Sequence, residues 1–179
     1  MSDDRLRPAE WVNAGLKALA GAGFTALRAD SLAKSLGVSR GSFYWHFRDV
    51  GEFHRAVLQR WREVALEEIV AEVEAVAGDR LEALLRRAFT ARSSLEVAVR
   101  AWATAAPEAK AAVAAVDAKR ESYLRALLIE TGLETNHATT RARIIYWTYL
   151  GYRLSSHRLD KQALERAIKD LSQLARSHE

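Results

Sequence analysis

The five histidines, His46, His54, His137, His157 and His178, are the natural candidates for acid–base or metal chemistry, but their spacing supports neither. None stands at a recognisable distance from a nucleophile. Glu52 and His54 share one helix-forming stretch without making the HExxH arrangement of a zinc hydrolase. Cysteine is absent, which removes thiol catalysis, disulfides and cysteine-containing zinc or iron–sulfur sites. Gly37 and Gly41 lack the preceding strand and the further glycines of a nucleotide-binding loop. The chain is therefore expected to be no enzyme, with no cofactor and no metal. Recognition chemistry is better represented. Arg40, Ser42, Tyr44, Trp45 and His46 gather donors and flat rings in one short stretch, suited to phosphate oxygens and base edges.

Such a stretch needs helices to present it. Pro8 suits the first turn of a helix, and Trp11, Val12, Gly15, Leu16, Leu19 and Ala20 then repeat at helical spacing up to Gly21–Gly23. Phe24, Ala26 and Leu27 form a short apolar connection. A second helix is expected over Ala29 to Leu36, closed by Gly37, with Val38 as an apolar plug. Ser39 can cap a third helix through its hydroxyl, running from Arg40 to about Phe47. Two short helices joined through a glycine turn make a helix-turn-helix. Ala33 is small where they cross, and Leu36, Val38 and Phe43 would fix their angle. The second helix then turns Arg40, Ser42, Tyr44, Trp45 and His46 toward a major groove.

A helical hairpin used only for packing remains an alternative from the turn alone. The run Phe43-Tyr44-Trp45-His46-Phe47 weighs against it, because so many rings cannot all enter one small core. Phe43 and Phe47, four apart, can share the buried face, and Tyr44 and His46 must then point elsewhere.

This segment resembles the TetR family of transcription regulators. The resemblance is carried by Phe24-Thr25-Ala26-Leu27, Leu32-Ala33 and the run Leu36-Gly37-Val38-Ser39-Arg40-Gly41-Ser42-Phe43-Tyr44-Trp45-His46-Phe47, within about residues 10–60. It implies that the third helix reads the major groove, that Tyr44 and His46 touch phosphates, and that Arg40 and Ser42 contact bases or phosphates. It also implies a close approach to DNA at Gly41. The expected DNA-binding set is Arg28, Ser39, Arg40, Gly41, Ser42, Tyr44, Trp45, His46 and Arg48. Two positions depart from the pattern. Arg28 stands where the family often has a Thr or Ser cap, and Val50 stands where it often has a phosphate-binding Lys, a charge that Arg48 could supply.

Beyond this segment Asp49 can cap a fourth helix bearing Phe53, Val57, Trp61, Val64 and Leu66. Further helices are expected over Arg80–Ala91, from Leu95 to about Ala105 with Ser93–Ser94 preceding it, from Pro107 to near Gly132, through Ser156 with Thr135–Asn136 introducing it, and from Asp160 onward. The fold class is all-α: an N-terminal three-helix helix-turn-helix domain, residues 1–49, followed by a helical bundle, residues 50–179. By the resemblance the bundle binds an effector, and its last two helices pair with their copies in a homodimer. Ile144, Ile145, Trp147, Tyr149, Leu150 and Tyr152 support that pairing independently, with Gly151 allowing close contact. Phe89, Trp102, Tyr123, Tyr146 and Trp147 are the candidate ligand-binding residues, suited to a small apolar or aromatic effector.

Composition fits these expectations. Apolar residues make up 49% of the 179, enough for a substantial core. Residues 1–60 carry nine Arg or Lys against six Asp or Glu, whereas the remainder is nearly balanced, a bias that suits a phosphate-bearing partner. No run of 18 apolar residues and no secretory signal pattern is found, so no membrane is expected and the cytoplasm is the expected location. The function read from the sequence is a dimeric TetR-type regulator, a repressor released from double-stranded operator DNA by its effector. A non-DNA-binding helical protein-interaction module is the alternative.

Overall fold

The computed structural model describes residues 6–91 and 94–177; Ser93 and His178 lie outside them. All regular structure among the described residues is helical. The helices are α1 (Pro8–Ala22), α2 (Ala29–Leu36), α3 (Arg40–Tyr44), α4 (Val50–Arg62), α5 (Glu68–Glu74), α6 (Arg80–Thr90), α7 (Ser94–Ala103), α8 (Pro107–Glu130), α9 (Thr135–Leu154) and α10 (Lys161–Arg176). A 3-10 turn, Phe24–Ala26, joins α1 to the α2 region, and a π-helical turn, Glu63–Glu67, joins α4 to α5.

The ends of these helices follow local side-chain chemistry. Asp49, Asp79 and Asp160 each accept a hydrogen bond from the backbone N–H three residues on, at 2.7, 3.0 and 2.8 Å, opening α4, α6 and α10. Pro8 begins α1 and Pro107 begins α8. The cap of α9 is Glu134, whose carboxylate accepts from the Asn136 N–H at 3.0 Å. Basic side chains close two helices. Arg141 donates to the carbonyls of Ala175 and Ser177 at the end of α10, and Arg158 to those of Tyr152 and Arg153 at the end of α9.

The chain forms two compact units, 1–64 with 94–114, and 65–93 with 115–179. In the first unit α4 packs on α1 and buries Phe53, Val57 and Trp61 almost completely. The first unit also takes in α7, which packs along α1. Trp11, Leu19, Leu27, Phe43 and Val99 are among its fully enclosed side chains. The core of the second unit is built from Val73, Leu81, Leu85, Leu124, Leu127, Leu128, Ile145 and Ile168, drawn from α5, α6, α8, α9 and α10.

Gly15 shows how closely α1 and α4 approach. A Cβ there would stand 2.7 Å from Phe53 Cζ and 2.9 Å from Val57 Cγ2, whereas one on Gly21 would meet nothing within 4 Å. Gly15→Ala should therefore lower stability by about 1–3 kcal/mol through overpacking. Gly21→Ala should raise it by up to about 1 kcal/mol through helix propensity. Urea unfolding followed by tryptophan fluorescence measures both; a stabilising Gly15→Ala would contradict the packing described.

Candidate nucleic-acid interface

The turn between α2 and α3 is set by Gly37, whose φ of 69° lies in the left-handed region that glycine adopts without a Cβ penalty. The Val38 N–H returns to the Ala33 carbonyl at 3.0 Å, completing the C-terminal cap of α2. At the other end of α2, Arg28 occupies the N-cap position and makes no side-chain cap bond, since a guanidinium cannot accept one. Ser39 also stands at an N-cap, but its expected capping hydrogen bond is absent; the Ser42 N–H instead meets the Ser39 carbonyl at 3.0 Å. The helix α3 ends at Tyr44, shorter than the expected run to Phe47, and Trp45 and His46 continue as a turn.

Phe43 fixes this short helix. Its ring has no exposed surface and lies 5.4 Å from Trp11, 5.1 Å from Phe47 and 5.2 Å from Phe53, edge-on to Trp11 and Phe53. With Phe43 and Phe47 inward, the intervening residues turn out. Tyr44 is 43% exposed and Trp45 is 81% exposed, an unusual state for an indole. Arg28, Ser39, Arg40, Gly41 and Arg48 are exposed, while Ser42 and His46 are half-buried. All nine expected DNA-contacting residues therefore lie within the α2–α3–α4 segment of one unit.

Two of the arginines already have partners. Arg40 Nε lies 3.1 Å from Asp30 Oδ1, and Arg40 Nη2 lies 3.4 Å from the Tyr44 hydroxyl oxygen. The Tyr44 hydroxyl and then the Asp30 charge hold the Arg40 pKa above its ordinary value. Sequence reasoning missed Asp30; only its place in the first turn of α2, opposite the start of α3, could have indicated it. Arg48 Nε lies 3.4 Å from Asp49 Oδ2. The Asp49 carboxyl is held below its ordinary range, chiefly by the Glu52 N–H and to a smaller degree by Arg48. Val50, the first residue of α4, is half-buried and uncharged.

The five candidate ligand residues do not come together. Trp102 belongs to the first unit, where it stacks on Phe24 at 4.7 Å and meets His54 edge-on at 5.3 Å. His54 Nε2 in turn donates to the Leu27 carbonyl at 3.0 Å, so this histidine is a packing residue. Phe89 and Tyr146 are buried in the second unit's core, with the Tyr146 hydroxyl donating to Asp117 at 2.6 Å. Trp147 is 61% exposed on α9. Tyr123 alone among the five lines the open groove of about 600 Å³ formed by Leu66, Glu67, Val70 and Ala71 against Lys119, Ser122 and Ala126. Its hydroxyl donates to Glu74 at 2.6 Å, and burial, reinforced by that carboxylate, pushes its pKa well above the ordinary value.

Among the described residues, no three His, Asp or Glu side chains gather as a metal site requires, and no helix is long and apolar enough to cross a membrane. A glycine turn between two short helices, with the second pinned by one buried ring and bearing exposed donors, defines a helix-turn-helix of the DNA-binding class. Residues 12–52 match the model of the bacterial regulatory proteins of the tetR family. No curated protein matches the chain. Among solved structures, the chain is similar to a transcriptional regulator from Rhodococcus sp. Rha1, at 24% identity and TM-score 0.78, covering 95% of this chain and 96% of that one. It is similar also to a TetR-family transcriptional regulator from Rhodococcus sp., at 20% identity and TM-score 0.69, covering 94% and 100%. A third is a transcriptional regulator from Saccharomonospora viridis in complex with choline, at 15% identity and TM-score 0.72, covering 93% and 95%. Residues 12–52 thus match the TetR-family helix-turn-helix model, in a chain with the TetR-like all-α fold.

The uncharged start of α4 gives a test of how DNA would meet this segment. Val50→Lys should steepen the dependence of log K on log salt by roughly 0.9 for each phosphate gained. Binding titrations across a salt series measure the slope; an unchanged slope would mean that the start of α4 stands away from the backbone or that Arg48 already holds the phosphate.

Proposed function

We propose that the protein is a homodimeric repressor that occupies a palindromic DNA operator and is released by a small apolar or aromatic effector. The observation that carries the DNA reading is the exposed pair Arg40 and Tyr44 on a helix fixed from beneath by Phe43, with Trp45 exposed in the turn that follows. Gly41 supports it. A Cβ at that position would meet only Ser39 Oγ, at 3.7 Å, so the protein itself gives no reason for glycine in this helix. Close approach of a DNA backbone supplies one. Arg28, Ser39, Ser42, His46 and Arg48 would then position the helix on phosphates, with no enzymatic step and with the cytoplasm as the place of action.

Dimerisation is supported by α9, which is apolar on two faces. Ala138, Ala142, Ile145 and Tyr149 are buried in the second unit, while Ile144, Trp147 and Leu154 stand 52, 61 and 54% exposed. Gly151, exposed on that outward face, has open space above it. Leu174 adds a 68% exposed side chain on α10. Exposed apolar groups of this size need a cover, and a second copy supplies an identical face through a two-fold axis. Two recognition helices so related would read half-sites about 34–36 Å apart, or a multiple of it.

The effector is assigned to the groove at Tyr123, where Leu66, Val70, Ala71 and Ala126 offer apolar surface and Ser122 and Lys119 offer donors. The choline bound by the Saccharomonospora regulator is a small cation with an apolar surface. An effector of this chain must bind the DNA-incompetent arrangement more tightly, since equal affinity for both shifts nothing.

Selection of genomic fragments by the purified protein, followed by band-shift titration, tests the DNA reading; failure to enrich any fragment would favour the protein-interaction alternative. Trp147→Glu should convert the dimer to monomer at micromolar concentration and weaken operator binding by at least about tenfold, because desolvating an unpaired carboxylate in an apolar contact is costly. Analytical sedimentation decides it. A dimer that persists unchanged would remove α9 from the interface.

A further inference from the structure

Arg40 is the first residue of the recognition helix, yet an acidic side chain stands beside it. That is an odd neighbour for a phosphate-binding arginine. Asp30, in the first turn of α2, pairs with Arg40 Nε at 3.1 Å, and the two side chains keep 62 and 63% of their surface exposed. The Tyr44 hydroxyl takes a donor from Nη2 at 3.4 Å, and the guanidinium carbon lies 5.6 Å from the Tyr44 ring centre. Nε and Nη2 form one edge of the planar guanidinium. With that edge engaged, the Nη1–Nη2 edge remains as a pair of parallel donors.

We propose that Asp30 is a specificity-determining positioning residue, which holds Arg40 so that its Nη1–Nη2 edge reads a guanine in the major groove. This rests on the DNA-binding reading given above. Two arguments favour a base over a phosphate. The Asp30–Arg40 pair is neutral as a unit, so it gives little net attraction to a polyanion, and the Asp30 carboxylate repels a phosphate brought close. A guanine edge needs two directed acceptor contacts, at O6 and N7, and no net charge, and a splinted guanidinium meets both in a fixed plane. Exposed ion pairs contribute little to stability, so the pair is free to be used for orientation.

Removing the splint should therefore separate affinity from discrimination. Asp30→Asn keeps the size of the side chain, deletes its charge and lies on the surface, so the fold is retained. Binding is measured at one fixed salt concentration on a selected genomic duplex, on the same duplex with each half-site guanine replaced in turn, and on an unrelated duplex. The expected result is tighter binding to the unrelated duplex together with a roughly fivefold loss of preference at one guanine per half-site, the lower end of what a bidentate contact discriminates. In an Arg40→Ala background Asp30→Asn should cause no further loss of preference, because the two changes act through one contact. Equal strengthening on every duplex, with guanine preference intact, would overturn the proposal and leave Asp30 a surface partner only. So would a preference that survives Arg40→Ala. Absence of any duplex binding by the unaltered protein would instead defeat the DNA-binding reading itself, and the two failures are distinct.

Discussion

The exposed face of α3 depends on the burial of one ring. A five-residue helix has too few internal hydrogen bonds to persist by itself, since nucleation alone costs more than so short a stretch returns. Phe43 replaces that missing stability with packing. Trp11 from α1, Phe53 from α4 and Phe47 from the following turn meet its ring at 5.1–5.4 Å, so three elements converge on one side chain of α3. The orientation of Arg40, Tyr44 and Trp45 follows, because in a helix this short fixing one side chain fixes the rotation of the rest. The aromatic run is therefore divided by position, buried at 43 and 47 and turned outward at 44 and 45.

In the second unit the polar contacts carry the same logic. The π-helical turn Glu63–Glu67 disturbs the regular helical ladder, and Arg120 Nε and Nη2 donate to the Ala65 carbonyl at 3.2 and 2.9 Å. The guanidinium of Arg120 also lies 5.6 Å from the Tyr149 ring centre, which ties α8 to α9. Leu66 and Glu67, the next residues of the turn, line the groove assigned to the effector.

What was legible in the sequence was local. Gly37 and Asp49 act within four residues of themselves, so the ends of α2 and the start of α4 fell close to their expected bounds, whereas α3 stopped three residues early. The π turn was not legible, because Glu63-Val64-Ala65-Leu66-Glu67 has ordinary helical composition and the stabilising Arg120 lies 55 residues away. The packing of Trp102 was not legible for the same reason. Nothing near it in sequence reveals that its partners are Phe24 and His54, and it was expected among ligand residues. Asp30 escaped notice because its meaning depends on a contact across the turn, with Arg40. Serine at position 39 had the right type and the extended backbone of a cap, but its hydroxyl makes no capping hydrogen bond.

The proposed DNA face is the one that Phe43 holds outward on α3 and its flanks. Amide hydrogen exchange across the whole chain, with and without a bound genomic duplex, measures where that contact falls. Slowed exchange is expected in residues 39–50, the segment containing α3 and the start of α4, at saturating duplex. Duplex binding that leaves this segment unchanged while protecting α5 to α10 alone would contradict it.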